Sequence, residues 1–230
     1  MSSTSSISSN EIKWHGRTYK EWSNARAFAV IKNDGSVVSW GEKYWGGDSS
    51  SVASQLKSNV IQIFSHESAF AALKKDGSVI TWGSVLSNTN SQLSSHKFVD
   101  ISSTRTMFAG ITNHGGVYTW GSGSISAIAG KEYLLKDNVK EIFSSRNAFA
   151  ALKEDGSVIT WGDRIYENGR LTNTGSDSSK VLLDLKSDVT KIFSTDYAFA
   201  ALKNNGSVIT WGDEVKGGNS QSVASLLTND

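Results

Sequence analysis

Apolar and polar positions along this chain repeat as a unit, and the unit is a hairpin. Five segments carry it: AFAVIKNDGSVVSWG (Ala27 to Gly41), AFAALKKDGSVITWG (Ala69 to Gly83), MFAGITNHGGVYTWG (Met107 to Gly121), AFAALKEDGSVITWG (Ala148 to Gly162) and AFAALKNNGSVITWG (Ala198 to Gly212). In each, a run of the AFAAL type precedes a polar turn and a run of the SVITWG type follows it. β-prone runs bounded by turn residues predict paired antiparallel strands. A further β-prone run stands before each hairpin: TYKEWS (18–23), VIQIFS (60–65), FVDISS (98–103), VKEIFS (139–144) and VTKIFS (189–194). Three strands per unit follow, and the period-2 patterning excludes an all-helical solenoid.

Both faces of the hairpin are apolar. In the second copy Phe70 and Ala72 point one way, and Ala69, Ala71 and Leu73 the other. The return strand sets Ile80 and Trp82 against Val79 and Thr81. A sheet apolar on both faces must be covered on both. Sheets stacked face to face around an axis meet that need, and the alanines permit close approach. A linear β-solenoid fits less well, since it does not rely on a tight antiparallel hairpin in every coil. A period of about forty residues belongs to propellers and arrays.

The expected fold is therefore all-β: a five-bladed β-propeller of antiparallel, three- to four-stranded blades. Residues 1–17 read as a serine-rich N-terminal tail and 18–230 as one domain, with units 18–59, 60–97, 98–138, 139–188 and 189–230. The five units make a ring or, failing that, an open arc completed by self-association.

The turn pairs are Asp34-Gly35, Asp76-Gly77, His114-Gly115, Asp155-Gly156 and Asn205-Gly206. Such pairs predict two-residue type I′ turns, with Gly35, Gly77, Gly115, Gly156 and Gly206 as structural positions. After Trp-Gly the units diverge. The first and fifth share a tail, GGDSSSVASQL (Gly46 to Leu56) and GGNSQSVASLL (Gly217 to Leu227), expected as one capped helical turn or a ragged outer strand. In the fourth, residues 163–180 read as a polar surface loop.

Composition narrows the function classes. The 230 residues carry 23 basic and 22 acidic side chains, a net charge of +1, which gives no reason to expect nucleic acid as partner. There is no cysteine, which excludes disulfides, thiolate metal sites and cysteine nucleophiles. There is no proline, so Gly, Asn, Asp and Ser make the turns. The first residues lack an apolar stretch of signal-peptide length, and no segment is long enough to span a bilayer. The expected location is cytoplasmic, or exported without a conventional signal peptide, with no membrane insertion.

The run ending Ala-Leu-x-x-Asp-Gly-Ser-Val-x-x-Trp-Gly resembles the regulator of chromosome condensation repeat. In unit 2 the matching residues are Ala72, Leu73, Asp76, Gly77, Val79, Trp82 and Gly83. Substitutions elsewhere fall at Val30, Ile31, Gly110, Ile111, His114 and Asn205. The resemblance covers all five units and implies a β-propeller, closest to short bacterial-type repeats of unassigned role. It also implies, more distantly, regulation of a small GTPase. The tails here replace the Gly-Gln-Leu-Gly element and proline-bearing outer strand usual in that family, whose members generally have seven blades.

No catalytic constellation stands out. His15, His66, His96 and His114 share no metal-ligand spacing and read as surface or turn residues. No phosphate loop, nucleophile elbow or HExxH occurs. Asp48 lacks the further acidic ligands a calcium ion needs, so capping is favoured. Trp40, Trp82, Trp120, Trp161 and Trp211 recur at one position and read as structural packing between blades. Phe64, Phe143, Phe193 and Trp22 share another core position. Lys32, Lys74, Lys153 and Lys203 recur before the turn, as a partial basic ring or as strand-end protection. The candidate partner-binding residues are Trp14, Tyr44, Trp45 and Asp48 in the first unit and Arg164 and Tyr166 in the fourth.

The leading expectation is a non-enzymatic protein-interaction module, a scaffold that binds a protein partner through variable loops on one face. No cofactor or metal is called for. A carbohydrate-binding propeller lectin is the first alternative, with near-equivalent sites in successive blades. A regulator of a small GTPase is the second.

Overall fold

The computed structural model describes residues 23–84, 89–121, 128, 130–167 and 169–227. The serine-rich tail, Trp14, His15, Trp22 and nearly all of the run 18–23 lie outside the described residues. In units 2 to 5 all three expected strands form. They are Val60–His66, Ala69–Lys74 and Val79–Gly83; Phe98–Ser103, Met107–Thr112 and Val117–Gly121; Val139–Ser144, Ala148–Lys153 and Val158–Gly162; Val189–Ser194, Ala198–Lys203 and Val208–Gly212. Each trio is one antiparallel sheet with the AFAAL-type strand in the middle. Unit 1 shows the hairpin Ala27–Ile31 and Val37–Gly41.

Register is the same in every hairpin. Phe28, Phe70, Phe108, Phe149 and Phe199 lie opposite Trp40, Trp82, Trp120, Trp161 and Trp211. Each pair stacks, with ring centroids 5.2 to 5.5 Å apart. Cross-strand aromatic pairs of this kind are a basic unit of sheet stabilisation.

The turns correct the type I′ expectation. Type I′ needs positive φ at both central residues. Here Gly35, Gly77, Gly115, Gly156 and Gly206 have φ of 75° to 82°, while the preceding residue does not share that conformation. The Gly35 N–H donates to the Lys32 carbonyl at 2.8 Å, and Lys32 N–H to the Ser36 carbonyl. This is a three-residue loop ending in a left-handed glycine. In four of the five turns an Asp or Asn side chain supports it: Asp34 Oδ1 accepts from the Ser36 amide (2.9 Å) and hydroxyl (2.6 Å). Asp76–Ser78, Asp155–Ser157 and Asn205–Ser207 repeat the arrangement.

The core lies between units. One cluster joins Ala69, Ala71, Leu73, Val79 and Leu93 of unit 2 to Phe108 and Trp120 of unit 3. Equivalent clusters join units 1 and 2, 3 and 4, and 4 and 5. Each unit thus has an alanine-rich face and a Phe–Trp face, and one unit's alanine face receives the next unit's aromatic pair. This answers the two-sided apolar pattern. Backbone bonds follow the same order: the amides of Val60, Phe98, Val139 and Val189 donate to the turn carbonyls of Gly35, Gly77, Gly115 and Gly156 one unit earlier. A second ladder runs from Ala25 to Glu67, Arg105, Arg146 and Asp196, each amide donating to the next unit's carbonyl.

The tails are neither α-helices nor strands in units 1, 4 and 5. They are 3₁₀ turns, Ser50–Val52, Ser179–Val181 and Gln221–Leu226. Unit 4 corrects the sequence reading. Residues 163–180 are not one loop: a hairpin, Ile165–Glu167 with Arg170–Thr172, is followed by a third Gly-x-Asp/Asn-Ser tail running from Gly175 to Leu185. Each tail ends at a leucine whose carbonyl holds its own return strand: Val37 to Leu56, Val158 to Leu185 and Val208 to Leu227.

The recurrent lysines staple units together. Lys74 Nζ donates to the Gln55 carbonyl (2.8 Å), Lys153 Nζ to Leu134 (2.9 Å) and Lys203 Nζ to Asp184 (2.8 Å), each in the tail of the preceding unit. A cation at the last carbonyls of a helical turn is favourable.

Among the described residues the core clusters join units 1 to 2, 2 to 3, 3 to 4 and 4 to 5, and no unit packs on the Phe–Trp face of the first hairpin. Phe28 is 65 % exposed and Trp40 48 %, whereas Trp82, Trp120, Trp161 and Trp211 are 1 to 3 % exposed. Trp40 therefore departs from its expected buried role, because the described residues place no unit before it. Phe193, expected in the core, is half-buried and lines an apolar groove on the last unit.

Candidate interaction face

The segments after Trp-Gly are where the units differ. In unit 1 the segment is a 3₁₀ turn, Lys43–Trp45, with the Glu42 carboxylate accepting from the Tyr44 amide at 3.3 Å. Tyr44 is 76 % exposed. Trp45 lies half-buried under the Arg26 guanidinium, 4.2 Å from the ring centroid, and its carbonyl accepts from Asn24 Nδ2 at 2.7 Å. Asp48 begins the tail turn: Oδ1 accepts from the Ser50 amide at 2.9 Å, and Lys43 Nζ is 3.8 Å away. The Ser50 hydrogen bonds, helped by the Lys43 charge, hold its carboxyl below the usual carboxylate range.

In unit 4 the short hairpin lifts Tyr166 to 77 % exposure opposite Leu171. Arg164 at its base pairs with Asp177. Asp177 Oδ1 also accepts from the Ser179 amide at 3.0 Å, the counterpart of the Asp48 cap. Ser179 and then Arg164 keep the Asp177 carboxyl below its ordinary range. Across the junction, Lys180 Nζ meets Glu214 at 2.6 Å. These charges line an open groove of about 630 Å³ between units 4 and 5, with Thr210 and Asn219 on its far wall.

The sequence-predicted residues thus fall into two groups with units 2 and 3 between them along the chain. Tyr44, Trp45 and Asp48 form one, Arg164 and Tyr166 the other; Trp14 lies outside the described residues. Only Tyr44 and Tyr166 present most of their surface. Sequence reasoning missed Val215, 84 % exposed on the unit 5 loop. Aligning the shared tails would have found it, since Val215 holds the register of Tyr44. Tyr133, 68 % exposed in the unit 3 tail, was also missed.

The histidines do not all lie at the surface. His66 is fully buried against Phe108, with ring centroids 4.6 Å apart. Its Nδ1 accepts from the Ser68 amide at 3.2 Å, and burial lowers its pKa from 6.5 to about 4. Its Nε2 is buried without a hydrogen-bond partner. His96 packs tilted against Tyr118, ring centroids 4.6 Å apart, and His114 is exposed at a hairpin tip. Among the described residues no three His, Asp or Glu side chains gather as metal ligands. No helix among them is long and apolar enough to cross a membrane.

Three-stranded antiparallel sheets stacked through alternating alanine and Phe–Trp faces define a repeat protein of the β-propeller class. Solved structures give its kind: the fold is that of the RCC1-like repeat propellers. Human WBSCR16 superposes with a TM-score of 0.54 at 16 % identity, over 84 % of this chain and 61 % of that one. Yeast RCC1 (Prp20), solved bound to Kap60, gives 0.53 at 16 % identity, over 83 % and 55 %. The ectodomain of the Physcomitrella patens receptor kinase CR4 gives 0.52 at 14 % identity, over 84 % and 52 %. The chain thus matches only between half and two thirds of the length of these proteins. Neither a protein-family model nor any curated protein matches the sequence.

Proposed function

We propose that this chain is a non-enzymatic protein-interaction module, five blades long, that binds a protein partner through the loops after Trp-Gly. The observation that carries this reading is the division of labour within each unit. The repeated motif is consumed by packing between units, and the variable segments hold Tyr44, Tyr166 and Val215 at 76 %, 77 % and 84 % exposure. Exposed tyrosine offers large, rigid contact area and is enriched at interfaces. Yeast Prp20, of the same fold, was solved bound to Kap60 and has described binding to Gsp1p and histones. Regulation of a small GTPase is retained as a second reading on that likeness.

The lectin reading loses its repeated site. Four of the five tryptophans are buried between units, where no sugar ring can stack on them. The test is affinity capture with the full chain, with and without competing sugars, beside a Tyr44→Ala/Tyr166→Ala/Val215→Ala triple variant. A protein captured by the wild type and lost by the folded variant supports the loops. Capture abolished by sugars, or unaffected by the variant, overturns them. A nucleotide-exchange assay on any captured GTPase decides the second reading.

A further inference from the structure

The return strand is an outer sheet edge in every unit, and one residue on it turns its main chain outward. In unit 3 the Thr112 N–H donates to the Gly116 carbonyl at 2.7 Å. Alternation then makes Gly110–Tyr118 and Phe108–Trp120 the bonded pairs and leaves Ala109–Thr119 without bonds to each other. The Thr119 N–H and carbonyl therefore face away from the sheet. Ser39, Thr81, Thr160 and Thr210 hold the same register in the other units.

Unit 2 shows what this edge accepts. Asn90, in the short helix Thr89–Leu93, lays its carboxamide along Thr81. Its Oδ1 accepts from the Thr81 N–H at 2.8 Å and from the hydroxyl at 3.1 Å, and its Nδ2 donates to the Thr81 carbonyl at 2.9 Å. One residue of an antiparallel neighbour strand makes the same pair of main-chain bonds. Thr81 is left 1 % exposed. In units 1, 4 and 5 the hydroxyl at this register is engaged by its own tail: Ser39 by the Gly47 carbonyl, Thr160 by Ser176 and Thr210 by Gly218.

Unit 3 breaks the series. Among the described residues neither the hydroxyl nor the outward main chain of Thr119 has such a partner. Thr119 is half-buried, and a cleft of about 520 Å³ opens along it. Gln92 and His96 of unit 2 and Glu132 and Lys136 of unit 3 line that cleft, with the His96 and Tyr118 rings packed together inside it. Its size suits a bound ligand, and an unpaired edge is a template for an added strand.

We infer that the cleft at Thr119 is a peptide-binding site, in which an extended segment of a partner protein pairs antiparallel with Thr119 as a fourth strand of the unit 3 sheet. One residue of that segment gives its carbonyl to the Thr119 N–H and its own N–H to the Thr119 carbonyl, as the Asn90 carboxamide does at Thr81. The rings of His96 and Tyr118 give one of its side chains a surface to rest on. Main-chain bonds supply the affinity of such an added strand, and side-chain pockets its selectivity. The site goes beyond the loop reading, since it uses none of Tyr44, Tyr166 and Val215.

The experiment selects random linear peptides of about twelve residues, displayed on phage, against the full chain, and measures the affinity of a synthetic selected peptide. Methylating the main-chain nitrogen of one peptide residue at a time, with wild-type protein, should weaken binding roughly tenfold where that N–H meets the Thr119 carbonyl, and little at the residues on either side. Thr119→Pro removes an N–H that bonds nothing in its own sheet, at an edge position where proline is tolerated. Once circular dichroism shows this variant folded, it should bind roughly tenfold more weakly or worse. If it does not fold, the methylation scan decides alone. The Tyr44→Ala/Tyr166→Ala/Val215→Ala variant should bind the peptide like wild type. No peptide selected, methylation tolerated at every position, or affinity unchanged in folded Thr119→Pro overturns the proposal. Binding lost in the loop variant would place the peptide on the loops and overturn it too.

Discussion

The indole N–H of Trp82 donates to the carbonyl of Gly46, 36 residues earlier and one unit back. The bond forms because Gly46 sits left-handed directly over the Phe70 ring that Trp82 stacks on. A Cβ at Gly46 would lie 2.6 Å from Phe70 Cδ2, in a φ of +97°. Gly46→Ala therefore meets both a clash and backbone strain, and should cost about 2–4 kcal/mol. Gly217→Ala is the control. It has the same backbone conformation, but a Cβ there would make only ordinary contacts, the nearest 3.7 Å away at Ala198 Cβ, so only the strain remains, about 1 kcal/mol. Urea unfolding of the two variants measures the difference; equal losses would show that the close approach to Phe70 carries no weight.

The same contrast between filled and empty junctions applies to tryptophan. Trp161 is 1 % exposed between units 3 and 4, and Trp40 is 48 % exposed at the end of the arc. Trp161→Ala should lose about 3–5 kcal/mol, the usual cost of deleting a large buried aromatic side chain. Trp40→Ala should lose under about 1 kcal/mol when measured at low protein concentration. Thermal or urea denaturation of both variants decides it. A large loss at Trp40 would mean that its face is covered in the monomer.

Lysine staples should follow the same logic. Lys153 Nζ spans the junction to the Leu134 carbonyl, with its side chain only 15 % exposed. Lys153→Met removes a charged hydrogen bond and leaves that carbonyl without its partner, for about 1–2 kcal/mol. Lys32 occupies the same register in unit 1 but faces Asp34 of its own turn at 3.6 Å. Lys32→Met should stay within about 0.5 kcal/mol of wild type. If both variants lose equally, the lysines stabilise their own hairpins and not the junctions.

How far the sequence predicts this architecture can be traced residue by residue. AFAAL and SVITWG show three things on inspection: strand type, pairing and the need for cover on two faces. Burial of Ala69, Phe70, Ala71, Ala72 and Leu73 to 4 % exposure or less follows from that pattern. The turn type does not, because an Asp-Gly or Asn-Gly pair suits both the two-residue loop and the three-residue loop ending in a left-handed glycine, and here all five turns take the second, the His114-Gly115 turn included. The unit 4 tail is obscured for another reason. The hairpin at 165–172 displaces it, and Leu182 and Leu183 replace the Ala-Ser that follows the shared Val in its counterparts. Periodicity treats all five tryptophans alike, whereas burial depends on having a neighbour, which a repeat pattern does not encode for its first member. Of the candidate site, Tyr44 and Tyr166 are readable as aromatics outside the repeated motif. Val215 hides as an ordinary aliphatic residue.

Burial of His66 makes stability depend on pH in a defined window. Its folded-state pKa is lowered by burial to about 4, against 6.5 for the unfolded chain. Between those values the unfolded chain binds the extra proton and the folded chain does not. Stability is therefore complete above pH 6.5 and is lost as pH falls towards 4, with a slope of up to about 1.4 kcal/mol per pH unit and a total on the order of 3 kcal/mol. The carboxyls of Asp34, Asp76 and Asp155 are also lowered, by hydrogen bonds from Ser36, Ser78 and Ser157 as the first cause in each, so their contribution is lost mainly as pH falls through and below 3.8, at the acid end of this window. His66→Phe separates the two effects. It gives up the Nδ1 acceptor used by Ser68, removes the unpartnered Nε2 and keeps an aromatic ring beside Phe108. At pH 8 the variant should lie within about 1 kcal/mol of wild type. At pH 4.5 it should be the more stable of the two, because it has no buried imidazole to protonate. Urea unfolding at both pH values tests this, and a wild type whose stability is flat from pH 6.5 to 4.5 would show that the buried ring is protonated as readily as in the unfolded chain.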